Sequence, residues 1–216
     1  MYGRTGFYQN GGAWGFRDQL QDSIAAMYFA PESAKTQILR AAASQFQQGD
    51  VLHWWHNLGG EKYGIRSRYR DDPLWLILAA CSYADFTGDL KIFDSPIFYL
   101  DGLPLEPHES ERYAKYDTSC SADTLFEHCA AAFKCCLTFG EHELPLFGGG
   151  DWNDGFNRIG MDGKAESAWL AMFLKLVADE FALLCKKLGQ TDMEQKATEV
   201  SLNMKKAVET HCWEND

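Results

Sequence analysis

The chain has 216 residues, 46% hydrophobic and 14% aromatic, enough to bury the core of one domain or of part of a larger one. Its formal net charge of −11, with no basic run to offset it, sets up a field that repels polyanions and excludes nucleic acid as an expected partner. No apolar run is long enough to cross a bilayer, and Met1-Tyr2-Gly3-Arg4-Thr5-Gly6 lacks the apolar stretch of a signal peptide.

Asp18 to Phe29 reads as a first helix with acidic residues in its opening turn, stopping before Pro31. Ser33 is placed to cap a second helix running to Phe46, with Ile38, Leu39, Ala42 and Phe46 on one face. Pro73 suits the first turn of a third, which carries Leu74, Ile77, Cys81 and Ala84 and ends near Gly88. Pro96 to Leu100 is the one short strand expected. A fourth helix is predicted from about Ser121 to Phe139, before Gly140, and a fifth from about Lys164 to Leu188, burying Trp169, Leu170, Phe173, Val177, Phe181 and Leu184. Gly189 separates it from a sixth carrying Met193, Ala197, Val200, Met204 and Val208.

Helical spacing dominates and alternating runs are almost absent, so the expected fold class is all-α, with no internal domain boundary over 1–216. Polar, aromatic and glycine-rich clusters recur at 4–22, 53–75 and 148–169, between successive helix pairs. An α/α toroid would deliver its loops to one rim in this way. About six helices make only an open half-ring, so the chain is expected to be a truncated piece whose apolar flanks are covered by a second copy or by the missing half of a barrel. The seven cysteines follow neither a disulfide nor a zinc spacing, and Cys81, Cys129, Cys136 and Cys185 fall on apolar helical positions. They read as reduced, buried thiols of a cytoplasmic chain, with Cys135-Cys136 as helix filler.

The stretch Gly148-Gly149-Gly150-Asp151-Trp152-Asn153-Asp154-Gly155-Phe156-Asn157 is too rich in glycine to be a core element. Glycine lets the backbone approach a ligand closely, while Asp, Asn and Trp are side chains that grip sugar hydroxyls and ring faces. The alternative is a turn whose Asp and Asn satisfy their own backbone.

Read with Gly11-Gly12-Ala13-Trp14-Gly15-Phe16-Arg17-Asp18-Gln19-Leu20-Gln21-Asp22, His53-Trp54-Trp55-His56, Gly64 to Leu76, Thr124 to Cys129 and Glu166-Ser167-Ala168-Trp169-Leu170, this stretch resembles the ordered signature of the inverting β-glycoside phosphorylases. That family includes cellobiose and chitobiose phosphorylases, 1,2-β-oligoglucan phosphorylase and the C-terminal part of cyclic β-1,2-glucan synthase. The Phe16-to-Asp22 and Glu127-His128-Cys129 blocks lean toward the β-1,2-glucan branch.

The resemblance implies the N-terminal half of an (α/α)6 barrel in which inorganic phosphate, as co-substrate, attacks the anomeric carbon of a β-glucoside and releases α-glucose 1-phosphate. No further cofactor and no metal are expected. An inverting hydrolase needs a second carboxylate to activate water, whereas phosphate arrives as an anion. By position in the Asp-Trp-Asn-Asp block, Asp154 is implied as the general acid. Arg17 and Asp22 match donor-sugar residues, with Arg66, Asp72, Asp151, Trp152 and Glu166 as further substrate-binding candidates.

Other readings remain open for several of these. Asp18 and Asp22 are also what a helix dipole favours at its N-terminus, Asp71-Asp72 before Pro73 could be a cap, and Glu166 an acidic residue near a helix start. Trp152 reads as a platform and Trp54 as core. His53 and His56 lack the partners of a metal site. The family's phosphate-binding histidine, threonine and glycine backbone are implied to lie beyond Asp216, with Arg4 the local candidate to reach phosphate. Two further function classes stay open: a non-catalytic glycan-binding fragment, and a glucoamylase-like inverting hydrolase with Asp151 or Glu166 as base.

Overall fold

The computed structural model describes residues 12–159 and 162–213. Its helices are α1 (Phe16–Ala26), α2 (Pro31–Ala42), α3 (Asp72–Thr87), α4 (Leu125–Cys135), α5 (Ala168–Leu188) and α6 (Thr191–His211). Its strands are β1 (Trp14–Gly15), β2 (Leu52–Leu58), β3 (Glu61–Ser67), β4 (Pro96–Leu100), β5 (Glu111–Tyr116) and β6 (Thr118–Thr124).

Helix α3 is buried on every side by α1, α2, α4 and α5, which is why its sequence is apolar all round rather than on one stripe. Pro73 occupies its first turn, and Gly88 ends it in the left-handed conformation. Helices α5 and α6 form a hairpin across Gly189, also left-handed at φ 70°. Phe181 meets Phe126 and Phe133 of α4, and Phe173 meets Trp75 of α3 at 4.6 Å, so aromatic contacts tie the hairpin to the central helix.

The all-α expectation is overturned: 51% of the described residues are helix and 21% strand, in antiparallel sheets, a mixed α/β fold. A four-stranded sheet runs in the order β1-β2-β3-β5, and β4 pairs with β6. These strands carry little apolar alternation because much of their length is exposed or half-buried on both faces, β5 and β6 above all. They are held by their hydrogen-bond ladders and by cross-strand side-chain pairs. The strand expected at Pro96–Leu100 is present.

The fourth helix starts later than its spacing suggested, since Ser121 to Thr124 belong to β6 and the Thr124 hydroxyl accepts from the Glu127 amide as an N-cap. The second helix ends at Ala42, and Phe46 reaches the core from the turn that follows. His128, fully buried, joins layers: Nδ1 lies 2.6 Å from Gln45 Oε1, Nε2 lies 3.1 Å from the Ile97 carbonyl, and its ring stacks on Tyr99 at 4.0 Å. Cys81, Cys129, Cys136 and Cys185 are buried free thiols, as the sequence indicated.

Candidate active site

Arg17 lies in the first turn of α1, just after β1, and extends toward the glycine-rich loop. One terminal nitrogen donates to both carboxylate oxygens of Asp71, at 3.1 and 2.9 Å, and to the Asp151 carbonyl at 2.7 Å. The other donates to the Trp152 carbonyl at 3.2 Å and forms a short ion pair with Asp154 Oδ1. A single guanidinium thus fixes the loop by its backbone and its acidic side chain together. Burial opposes its charge, but Asp72, Asp71 and Asp154 outweigh this and raise its pKa further.

Asp71 and Asp72 sit at the entrance to α3, both fully buried, and face different partners. Asp71 takes Arg17. Asp72 Oδ2 lies 2.7 Å from His53 Nδ1, while its Oδ1 is buried with no hydrogen-bond partner among the described residues. Burial first, then the neighbouring Asp72 charge, pushes the Asp71 carboxyl upward against the pull of Arg17. Of the two, the resemblance singled out Asp72 alone; the geometry gives each a distinct partner.

His53 stands at the irregularity in β2 where the pairing register shifts between Leu52 and Trp54. Its ring stacks on Tyr69 with centroids 4.3 Å apart and planes 4° from parallel, and its Nε2 lies 3.6 Å from Asp154 Oδ1. Burial works against the imidazolium, yet Asp72 and then Asp154 overcome it, so the pKa is raised above the usual value. Burial and Asp154 push the Tyr69 phenol up to about 12, and its hydroxyl donates to the Asp154 carbonyl at 3.2 Å. Neither His53 nor Tyr69 stood among the sequence candidates; the adjacency of His53 to the paired tryptophans was the signal available.

The two carboxylates of the Asp151-Trp152-Asn153-Asp154 block have opposite environments. Asp151 is 1% exposed and turned inward: Oδ2 accepts from the Ser167 hydroxyl at 2.6 Å and Oδ1 from the Asn153 amide at 3.1 Å. Ser167 is the N-cap of α5, accepting from the Leu170 amide, so Asp151 anchors the loop to that helix. Asp154 opens a short 3-10 turn, with a side chain 59% exposed. Trp152 is exposed beside it, its indole 6.3 Å from Trp169.

Loop geometry explains the glycines. Gly148 adopts φ 66°, and a Cβ there would overlap the Arg68 carbonyl oxygen; at Gly150 it would meet the Tyr69 ring. The loop therefore lies directly on the chain between β3 and α3, beside Asp71 and Asp72.

Two sequence candidates, Arg66 and Glu166, are engaged elsewhere. Arg66, 1% exposed, is committed to Asp50, Gln48 and the carbonyls of Gly102 and Leu103, and lies over the Phe46 ring. Glu166 lies 2.6 Å from His142 Nδ1 and accepts the His142 and Leu144 amides, bracing the turn between α4 and the loop. Asp22 is exposed on α1, one turn beyond Asp18. The Asp18 carboxylate folds back over Gly15 at the helix start, the position a helix dipole favours. Arg4 lies outside the described residues. Among the described residues no group of three or more His, Cys, Asp or Glu could hold a metal ion.

The loop thus presents one exposed carboxylate, Asp154, held by a buried arginine and approached by a buried histidine that Asp72 backs, with the exposed Trp152 in the same loop.

Comparison with known proteins shows the family. The model of the glycosyl hydrolase 94 superfamily, catalytic domain, matches residues 1–216. The cyclic β-(1,2)-glucan synthase NdvB of Rhizobium meliloti (strain 1021) is 43% identical over 172 residues, 79% of this chain and 6% of that protein. Solabiose phosphorylase of Paenibacillus borealis is 30% identical over 204 residues, 94% of this chain and 23% of the enzyme. N,N'-diacetylchitobiose phosphorylase of Vibrio proteolyticus is 27% identical over 238 residues, 99% of this chain and 26% of the enzyme. The chain thus spans about a quarter of those phosphorylases and a small part of the synthase.

Proposed function

The chain belongs to the glycosyl hydrolase 94 superfamily, and from that membership we propose that it carries the proton-donating part of a glycoside phosphorylase site, with Asp154 as general acid. In the proposed reaction a phosphate oxygen attacks the anomeric carbon from the face opposite the leaving group. The glycosidic bond breaks, its oxygen takes the Asp154 proton, and the products are an α-glucose 1-phosphate and a shortened β-glucoside. The observation that carries the reading is the Arg17–Asp154–His53 arrangement: Asp154 is the exposed carboxylate of the loop, held by Arg17, with His53 Nε2 3.6 Å away.

His53, with its raised pKa and its Nδ1 held by Asp72, is in position to return a proton to Asp154 after each turnover. Arg17 holds Asp154 and the Trp152 carbonyl so that the acid need not be ordered when substrate arrives. In this reading Trp152 supplies a face for the sugar ring and Asp22 receives donor hydroxyls.

Phosphorolysis is favoured over hydrolysis by the state of the alternative bases. Asp151 is buried against Ser167, and Glu166 is held by His142 and two backbone amides, so neither is disposed to activate a water. The strong likeness to a β-(1,2)-glucan synthase supports a β-1,2-linked substrate, with a cellobiose-like β-1,4 linkage as the second choice. The seven free thiols support a cytoplasmic placement, and no described helix is long and apolar enough to cross a membrane.

The test is phosphate release from α-glucose 1-phosphate with β-1,2-, β-1,3- and β-1,4-linked glucobioses as acceptors, comparing this chain with Asp154→Asn. Acceptor-dependent release that disappears in the variant supports the reading and names the linkage. Release that survives the substitution, or glucobiose cleavage that needs no phosphate, rules it out.

A further inference from the structure

We propose that the outer face of the four-stranded sheet is a second glycan-binding surface, which holds a β-glucan chain through residues other than those of the Asp154 loop. The proposal takes its ligand class from the function proposed above but rests on a different set of residues.

Pairing register decides which side chains share a face. Trp54 of β2 is opposite Ile65 of β3, which is opposite Tyr113 of β5; His56 is opposite Tyr63, which is opposite Lys115. Directly paired residues project to the same side, so these six form two adjacent rows on one face. Trp55, Gly64 and Ala114 form the row between them on the reverse face, where Trp55 is 5% exposed. Tyr113, by contrast, is 51% exposed, and Trp54, His56, Tyr63 and Ile65 are half-buried.

The rings make a continuous patch. Tyr113 lies 5.8 Å from Trp54 and 6.4 Å from Tyr63, with planes 42° and 28° apart, and His56 meets Trp54 edge-on at 5.4 Å. Trp54 is therefore not the core residue its sequence context suggested; Trp55 takes that place.

Chemistry selects the occupant. Rings lying side by side with one face open suit the apolar C–H face of a pyranose, and groups at their edges suit its hydroxyls. Those edges carry the Tyr63 hydroxyl, which donates to Glu61 at 3.1 Å, and Lys115, which pairs with Glu61 at 2.6 Å. The rim is thus charge-balanced where it meets the rings, which fits an uncharged polyol, and the chain's net charge of −11 disfavours a polyanion. Several rings in one patch span more than one sugar, so the fitting ligand is an oligosaccharide rather than a monosaccharide.

Continuity with the candidate active site comes through β2. His53 approaches Asp154 at the irregular point of the strand, and the next residue, Trp54, begins the aromatic patch. A chain resting on this face is held close to the loop, which raises the local concentration of its free end.

The experiment is titration of this chain with linear β-1,2-gluco-oligosaccharides from disaccharide to hexasaccharide, followed by the side-chain NMR signals of Trp54, Tyr63 and Tyr113. The parent is compared with Tyr113→Ala, Tyr63→Ala and Asp154→Asn. Expected are shifts at these rings and an affinity that rises with chain length. Each tyrosine variant, checked for an unchanged circular dichroism spectrum, should lose about tenfold in hexasaccharide affinity, and Asp154→Asn should keep the gain with length.

Length-independent binding, or hexasaccharide affinity indifferent to both tyrosine variants, overturns the proposal. So does a sedimentation change in these variants without any change in glycan binding, which would make the face a self-association surface. Phosphate release is read separately. Loss of the phosphorylase reading with length-dependent binding intact leaves the surface standing, and activity without a length effect removes the surface alone.

Discussion

His53 joins two carboxylates of opposite exposure: its Nδ1 lies 2.7 Å from the buried Asp72 Oδ2, and its Nε2 lies 3.6 Å from Oδ1 of the exposed Asp154. A charge held on this ring is stabilised from both sides, although Arg17 stands nearby and works against it.

The first expectation is a histidine that titrates above its ordinary value of about 6.5. Its charged form gains more in the folded chain than in the unfolded one. The associated stability is fully present below the unfolded pKa and is lost as pH rises through the higher folded pKa. NMR titration of the His53 ring should show the raised value in the parent and a lower one in Asp154→Asn. Equal values in both would dissociate His53 from Asp154.

Removing Arg17 should cost far more than a surface ion pair. Arg17→Ala leaves Asp71 fully buried without its cation, and the expected loss is about 3–5 kcal/mol by urea denaturation. Hydrogen exchange at 151–154 should also accelerate, because the Asp151 and Trp152 carbonyls lose their donor. Arg17→Lys should recover part of the stability but not the forked contact to loop and carboxylates.

The paired acids of the loop should separate cleanly by stability. Asp151→Ala leaves the Ser167 hydroxyl and the Asn153 amide without their acceptor, and a loss of about 1–3 kcal/mol is expected. Asp154→Asn, at an exposed position, should change the melting temperature little. A large loss in Asp154→Asn would make that carboxylate a structural group rather than an acid held ready for substrate.

Two glycines of similar φ provide a backbone test. Gly148 and Gly163 sit at φ 66° and 75°, but an added Cβ overlaps the Arg68 carbonyl only at Gly148. Gly163→Ala should cost about 1–2 kcal/mol for the left-handed conformation alone. Gly148→Ala should cost clearly more and lift the loop off the chain before α3. Thermal melting of the two variants side by side reads the difference, at about 2–4 °C per kcal/mol.

What could be read from the sequence followed the physics of burial. The helices announce themselves through one-sided or all-round apolar spacing, as in Leu74, Ile77, Cys81 and Ala84 of α3. Strands β2, β3, β5 and β6 do not, because their residues are largely half-buried, as at Tyr63 and Ser121, or exposed, as at Tyr113, so no apolar alternation is required. In the site, Arg17, Asp72, Asp151, Trp152 and Asp154 could be singled out through the family resemblance of their blocks, and they come together in space. Arg66 and Glu166 have equally suggestive neighbours, yet their charges are answered by Asp50 and His142, partners 16 and 24 positions away that no local pattern reveals. His53 was hidden for the same reason in reverse: its importance comes from Asp72, 19 positions on.

The Arg17–Asp154 contact closes a separation of 137 residues, with Asp71 held between them by the same guanidinium. Closing so long a loop is entropically expensive until the intervening helices have docked, so this contact belongs among the last to form as the chain folds. A partly folded molecule can then possess most of its helices and still have no clamp. Formation of the Arg17–Asp154 pair becomes a marker of complete folding, and refolding followed at Trp152 should lag behind refolding followed by helix content.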